Sequence, residues 1–470
     1  MTTAETTVRF DEARPRALAL ARAVADEGFE VLLVRDVLGR FTLIIDDRGA
    51  SVDDEQRERW HTALSEQLGP YITAQPLTPA STMFAADTLL SSPRAVPDTG
   101  RPSGGPGRIR LLDNTVVGED WAKVSVASDP PARDCQRPYR TAMYGFKGGV
   151  GRTTATAMLA RHLADKGLVV LVVDLDLESP GLGPLLLDEE RLPRYGLVDH
   201  LVESAVIDPA DLDFDLDLVA RSPYEPRDRF GELWVAPSRG RGKTGIAYAY
   251  VDKLNRVYAD LPGASFADRL QRSLEACERA VSRSDSGHSP DVVLLDSRAG
   301  IHDVAAVTIS RLCDLALLFG ANNAQTWAGY RDLFAAWQSS GQASRIRERL
   351  KMVASMVPDS THHSMDDYLR AFRDEAFKTF SETLYDELSA ESSVAPDGFA
   401  PSESDTTAPH HAVPILFEPG LVSMNALKSP EWQRRAFVQA AYREFLRTVT
   451  PLVTNGRIGS AEAEDGEVAS

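Results

Sequence analysis

The stretch Lys147-Gly148-Gly149-Val150-Gly151-Arg152-Thr153-Thr154 constrains this chain more than any other. Before it, Tyr139 to Phe146 reads as a strand; after it, the residues from Thr154 onward read as a helix. Glycines at 148, 149 and 151 therefore sit where the chain must turn from strand to helix, and they remove side chains where backbone must approach another group closely. A turn of this kind closes backbone N–H groups around an anion, and the helix N-terminus adds a favourable dipole. Thr153, at the helix start, carries a hydroxyl able to ligate Mg2+.

Continuous apolar runs recur downstream at Leu168–Val173, Val292–Leu295, Leu315–Phe319 and Val413–Phe417. Unbroken apolar strands are buried on both faces, which a parallel sheet achieves by covering each face with helices. Helical stretches alternate with them at Thr154–Lys166, closed by Gly167 as a C-cap, and at Phe266–Ser282, Thr326–Ser339 and Glu431–Val449. The pattern predicts a doubly wound, mostly parallel α/β sheet over residues 139–453, with ligands at the carboxyl edge of its strands. Acidic residues fall at that edge: Asp174 and Asp176 after one run, Asp296 after another. An aspartate directly after an apolar strand can hold the water shell of Mg2+.

Phe146 stands where the general phosphate loop, G-x-x-x-x-G-K-S/T, has its first glycine. The loop resembles instead K-G-G-x-G-K-S/T-S/T, the deviant form found in the ParA/MinD ATPases of the CobQ/CobB/MinD/ParA nucleotide-binding group, and the resemblance extends over about residues 139–453. It implies a P-loop NTPase that binds ATP and Mg2+ and acts as a nucleotide-switched homodimer on a protein partner. Lys147, Gly148, Gly149, Val150, Gly151, Arg152, Thr153 and Thr154 would cradle the phosphates, with Lys147 reaching the nucleotide across an ATP-sandwiched dimer. Thr153 and Asp296 would serve the metal with Asp174 assisting, and Asp176 would position the attacking water. Base contacts would come from Asn322, in Gly320-Ala321-Asn322-Asn323, and from Pro419, in Phe417-Glu418-Pro419-Gly420-Leu421; neither stretch holds the guanine-reading N/T-K-x-D, so ATP is expected over GTP.

Two departures accompany the resemblance. Arg152 replaces the usual second lysine, and Ser297-Arg298-Ala299-Gly300 lacks the proline that commonly follows the strand ending in Asp296. A guanidinium is planar and wider than an ammonium, so it can hold the ground state yet follow the moving phosphoryl group poorly. Slow hydrolysis is therefore expected, with Lys147, Arg152 and Asp176 as the catalytic set. For Arg298, a phosphate contact and a surface ion pair both stay open. A nucleotide-sensing scaffold with little turnover is the alternative these departures favour.

The rest of the chain reads as accessory. Residues 1–73 form a small α+β N-terminal domain of unknown role, in which Val31–Val34 and Phe41–Ile45 make a hairpin and Asp46, Asp47, Asp53, Asp54 and Glu55 a solvated loop and helix start. Residues 74–138, rich in Pro, Ser, Gly and Thr, read as linker and lead-in; 390–411 reads as a mobile insert and 454–470 as an acidic disordered tail. The segment 208–263, with Leu233-Trp234-Val235-Ala236-Pro237, reads as an enlarged connection within the nucleotide domain. The net charge of −18 disfavours DNA, and with it a plasmid-partition role, as well as membrane surfaces. Cys135, Cys277 and Cys313 carry no C-x-x-C spacing, and Met1-Thr2-Thr3-Ala4-Glu5 lacks a secretory pattern, so a cytoplasmic location is expected.

Overall fold

The computed structural model describes residues 8, 10–36, 39–50, 52–98, 106–114, 119–124, 137–205, 217–245, 247–258, 265–360, 362, 364–386, 398–421 and 431–459. The chain divides into two compact units, residues 1–117 and 118–470.

In the first unit, strands β1 (Glu30–Arg35) and β2 (Phe41–Asp46) form the expected antiparallel hairpin. They belong to a five-stranded sheet of order β3-β2-β1-β5-β4, with β3 at Ile72–Pro79, β4 at Val96–Pro97 and β5 at Ile109–Asp113. Helices Phe10–Asp26 and Asp54–Leu68 bury Ala17, Ala21, Val24, Trp60 and Leu64 against one sheet face. Asp53 caps the second helix, accepting from the Gln56 amide at 2.7 Å, so this acid is part of a helix start.

The expected linker at 74–138 is corrected here. Its first part is β3, and β5 lies parallel beside β1, pairing Leu33 with Leu111. Turn residues bracket short strands in this stretch, so composition hid them. Gly107 shows the difference: a Cβ there would lie 2.1 Å from the Phe29 carbonyl oxygen and 2.7 Å from that of Ala25, so this glycine permits close backbone approach. Residues 99–105, 115–118 and 125–136 of the expected linker lie outside the described residues, as do Cys135 and the tail from 460.

The second unit is built on an eight-stranded sheet of order β13-β12-β11-β6-β10-β7-β9-β8. The strands are β6 (Tyr139–Gly145), β7 (Val169–Leu175), β8 (Ala220–Arg221), β9 (Glu232–Ala236), β10 (Val292–Ser297), β11 (Leu315–Gly320), β12 (Leu350–Val357) and β13 (Val413–Leu416). All neighbours run parallel except β8 against β9. Every residue of β7 and β10 is buried, and alternate residues serve opposite faces. Val169, Leu171 and Val173 join the core under helices Phe266–Ser282, Ala324–Ser339 and Met365–Thr383. Val170 and Val172 join the core under Arg152–Asp165 and Ala436–Val453. This is the doubly wound α/β architecture expected from the unbroken apolar runs.

Two further expectations change. The connection read at 208–263 contains β9, a full member of the sheet that pairs Val235 with Val172. The expected mobile insert is half packed: residues 387–397 lie outside the described set, but His410 is buried and bonds Tyr385, while the Lys351 ammonium donates to the carbonyls of Thr406, Thr407 and Ala408 at 2.8–3.3 Å. Among the described residues no helix is long and apolar enough to cross a membrane.

Gly107→Ala should destabilise the first unit by about 1–3 kcal/mol, because the added methyl meets backbone that cannot rotate away. Hydrogen exchange should speed up in β1 and β2 and stay unchanged in β7 and β10. Equal exchange in both units of variant and parent would show that Gly107 is not a close-packed position.

Candidate functional site

The loop after β6 begins where Phe146 lies against Gly329; a Cβ on Gly329 would meet the ring at 2.2 Å, so helix Ala324–Ser339 seats this residue. Gly149 and Gly151 adopt φ of +79° and +73°, the left-handed conformations that turn successive amides inward. Lys147, Gly148 and Gly149 are exposed, and Val150 is buried beneath them. Helix Arg152–Asp165 then starts with no side chain capping its first amides, so its N-terminal donors face the loop.

Strand order brings the acids to this loop. β10 lies between β6 and β7, and its register aligns Asp296 with Met143 on one side and with Asp174 on the other. Asp174 and Asp296 are thus neighbours at the carboxyl edge, both fully buried. Burial pushes the Asp174 carboxyl up to about 8, with Asp296 adding to the shift; burial raises Asp296 and Asp176 as well, although Arg152 opposes both.

Arg152 is the cation of this corner. It is only 7% exposed; its Nε donates to Asp296 Oδ1 at 3.2 Å and its Nη2 to Asp176 Oδ2 at 3.4 Å. Among the described residues, Arg152 Nη1 and Asp296 Oδ2 are buried without a hydrogen-bond partner, as is Ser297 Oγ, next in the chain. The first is a donor suited to an anionic oxygen; the second is an acceptor suited to a cation or its water.

The structure therefore brings together Lys147 to Thr154, Asp174, Asp176 and Asp296. Asp174 also shapes the loop after β7: its oxygens accept from the backbone amides of Asp176 at 3.2 Å and Leu182 at 3.0 Å. Asn322 and Pro419 are not brought to the loop in the same way. Asn322 Oδ1 accepts from the Trp327 indole at 2.8 Å, and its amide meets the Tyr368 hydroxyl at 2.7 Å. Pro419 is exposed beyond β13, the edge strand, with β12 and β11 between it and β6. Met356 is nearer: its Cε lies 3.8 Å from where a Gly151 Cβ would stand. Its φ of +56° coincides with the irregular pairing of β12 and β13. No pattern in the sequence marks that conformation.

Arg298 forms an ion pair with Glu178, which settles its contact in this state as a salt bridge between the loops after β7 and β10. Gly300 anchors the second loop, its amide donating to the Gly145 carbonyl at 3.1 Å and its own carbonyl accepting from Tyr144 at 3.2 Å.

Residues 141–374 match the family model described as the CobQ/CobB/MinD/ParA nucleotide binding domain. No curated protein sequence matches the chain. Among solved structures, the ParA family ATPase from Chlorobium tepidum is similar at 14% identity and a TM-score of 0.40, over 66% of this chain and 99% of its own. The cell division ATPase MinD from Pyrococcus furiosus is similar at 18% identity and a TM-score of 0.38, over 67% of this chain and all of its own, 100%. MinD from Pyrococcus horikoshii, solved with Mg-ADP, is similar at 16% identity and a TM-score of 0.40, over 67% of this chain and 97% of its own.

Arg152→Met should destabilise the protein by about 3–5 kcal/mol, since it leaves buried carboxylates without their cation. Adding Asp296→Asn should recover much of that loss, read as the midpoint of urea denaturation. A single variant as stable as the parent would show that the acids are neutralised by other means.

Proposed function

Residues 141–374 belong to the CobQ/CobB/MinD/ParA nucleotide binding domain family, and on that premise we propose that this chain is a cytoplasmic, magnesium-dependent ATPase that closes as a homodimer on ATP and acts on a protein partner. The observation that carries the reading is the pair of orphaned buried atoms, Arg152 Nη1 and Asp296 Oδ2, at the mouth of a glycine loop with uncapped helix amides. An anion beside a divalent cation satisfies both. The residues present fit Mg-ATP: the amides of Gly148 to Thr153 and the Arg152 guanidinium would hold phosphate oxygens, and Thr153 and Asp296 would hold the metal. No group of His, Cys, Asp or Glu among the described residues forms a cage of its own, so the cation needs the oxygens of the nucleotide. When bound, Mg2+ neutralises charge that builds up during phosphoryl transfer.

The chain's own residues then divide the work. With the metal bound, Asp296 would hold its water shell in place of Arg152, and the free Nη1 of Arg152 would donate to phosphate. Asp176, released from the same guanidinium, is placed to orient water. Lys147 is exposed on the rim, where it can reach a second protomer's nucleotide. Positioning and preorganised charge of this kind supply most of the catalysis in phosphoryl transfer.

A second reading, a nucleotide sensor with little turnover, is favoured by the Arg152–Asp176 contact itself. If the guanidinium keeps Asp176 after ATP binds, water is not oriented. DNA partition has the charge of the chain against it.

ATP with Mg2+ should convert monomer to dimer in light scattering. Lys147→Ala should block that conversion while nucleotide binding persists. Asp176→Ala should keep the ATP dimer but release no phosphate in single-turnover assays. ATP-independent mass, or a normal dimer from Lys147→Ala, would contradict the role given to this lysine; parent-like phosphate release by Asp176→Ala would contradict the placement of water.

A further inference from the structure

The residues from Asp176 to Glu178 have no regular secondary structure, so their position depends on what grips them. Each is held by a different part of the unit. Asp176 is held by Arg152 of the phosphate loop. The Leu177 carbonyl accepts from the Tyr250 hydroxyl at 2.5 Å. Glu178 is met by Arg298 and, at 3.4 Å, by His302 from the loop after β10, and by the Tyr258 hydroxyl. Tyr250 and Tyr258 lie at the two ends of one helix, Tyr250–Val257, in the connection between β9 and β10.

That helix is braced at both ends. At its carboxyl end, fully buried Arg269 donates to the Val257 carbonyl and to the Leu201 carbonyl, each at 2.7 Å. Near its start, Tyr248 and Lys253 both bond the buried Asp199, and Tyr248 stacks on Tyr250 with centroids 6.2 Å apart. The Tyr258 ring packs edge-on against His302 at 5.2 Å and tilts on Phe266 at 5.1 Å. Both hydroxyls are thus presented from a fixed platform to the loop, where they add to the hold of Arg152, Asp174, Arg298 and buried Leu177.

We propose that Tyr250 and Tyr258 are positioning residues for the hydrolytic step: through the Leu177 carbonyl and the Glu178 carboxylate, they set where Asp176 stands. The catalytic consequence rests on the function proposed above; the geometry does not. Neither tyrosine needs to touch nucleotide. Because the two hydroxyls grip residues adjacent to Asp176 and not the phosphate cradle, they act on turnover and leave ATP affinity alone. The connection that carries them becomes an input: a partner that tilts helix Tyr250–Val257 moves Asp176 without entering the site.

Tyr250→Phe combined with Tyr258→Phe removes two hydroxyls and keeps both rings, so the helix and its stacking survive. In the full-length double variant, turnover should fall about 10- to 100-fold, the range expected from misplacing a reacting group by about 1 Å. Binding of a fluorescent ATP analogue with Mg2+ should be unchanged. Hydrogen exchange of the amides of Leu177, Glu178, Ser179 and Gly181 should speed up in nucleotide-free protein, while amides of the helix Arg152–Asp165 stay as protected as in the parent. Unchanged exchange at these loop amides overturns the proposal, whatever the turnover. So does a parallel loss of affinity and turnover, which would mean that the whole site has loosened. A parent that binds ATP but releases no phosphate would sink the hydrolytic reading alone, and the exchange result would still decide whether these tyrosines hold the loop.

Discussion

Buried carboxyl groups decide how this site is organised. Parallel register sets Asp174 beside Asp296 at the ends of adjacent strands, both without solvent, and the loop that follows brings Asp176 alongside. A carboxylate removed from water is costly unless it is paired, and breaking such a pair costs several kcal/mol because the survivor stays buried. Arg152 reaches two of the acids at once through separate nitrogens, Nε to Asp296 and Nη2 to Asp176. A planar fork with donors in fixed directions can span two acceptors in this way, whereas an ammonium offers one compact point of charge. The residue that departs from the family pattern is therefore the one that balances the corner in which it stands. Phosphate loop, β10 and the loop after β7 become a single electrostatic unit, and anything that draws the guanidinium toward phosphate also frees the acids that metal and water need.

The rest of the unit holds that corner in place. β6 lies inside the sheet, flanked by β10 and β11; the chain leaves β6 toward β7 on one side and leaves β11 toward β12 on the other, which opens a crevice at the carboxyl ends of these two neighbours. Apolar residues on both faces make the strands rigid, while the loops after β7 and β10 are tied down: Gly300 to Gly145 through the backbone, and Arg298 to Glu178 and tyrosines of the β9–β10 connection to Leu177 and Glu178 through side chains. Rigid strands with tethered loops are the arrangement in which small movements at a phosphate change a distant surface.

Much of this was legible in the sequence, for identifiable physical reasons. Glycines 148, 149 and 151 and the unbroken runs of β7 and β10 have few structural solutions, so the phosphate loop and the doubly wound sheet followed from them. The strands β3 and β5 escaped notice because β3 holds two prolines of its own and β5 is five residues long beside a glycine-rich stretch, so that Gly107, a tightly packed position, resembled a linker residue. β12 escaped because Lys351 and Ser355 interrupt its apolar run; the lysine is buried only because three carbonyls of residues 406–408 receive it. Spacing could not show that Asp174 serves the backbone, nor that Asn322 is already taken by Trp327, because both depend on contacts between distant segments. The tyrosines at 250 and 258 carry no motif at all; their part depends on a helix whose place in space only the fold defines.

The most direct measurement is a crystal structure of the protein with a non-hydrolysable ATP analogue and Mg2+. Arg152 should have left Asp296, with Nη1 donating to a phosphate oxygen and Asp296 facing the metal's water shell. An Arg152 still bonded to both Asp296 and Asp176, with no nucleotide in the loop at saturating analogue, would contradict the exchange on which the proposed switch depends.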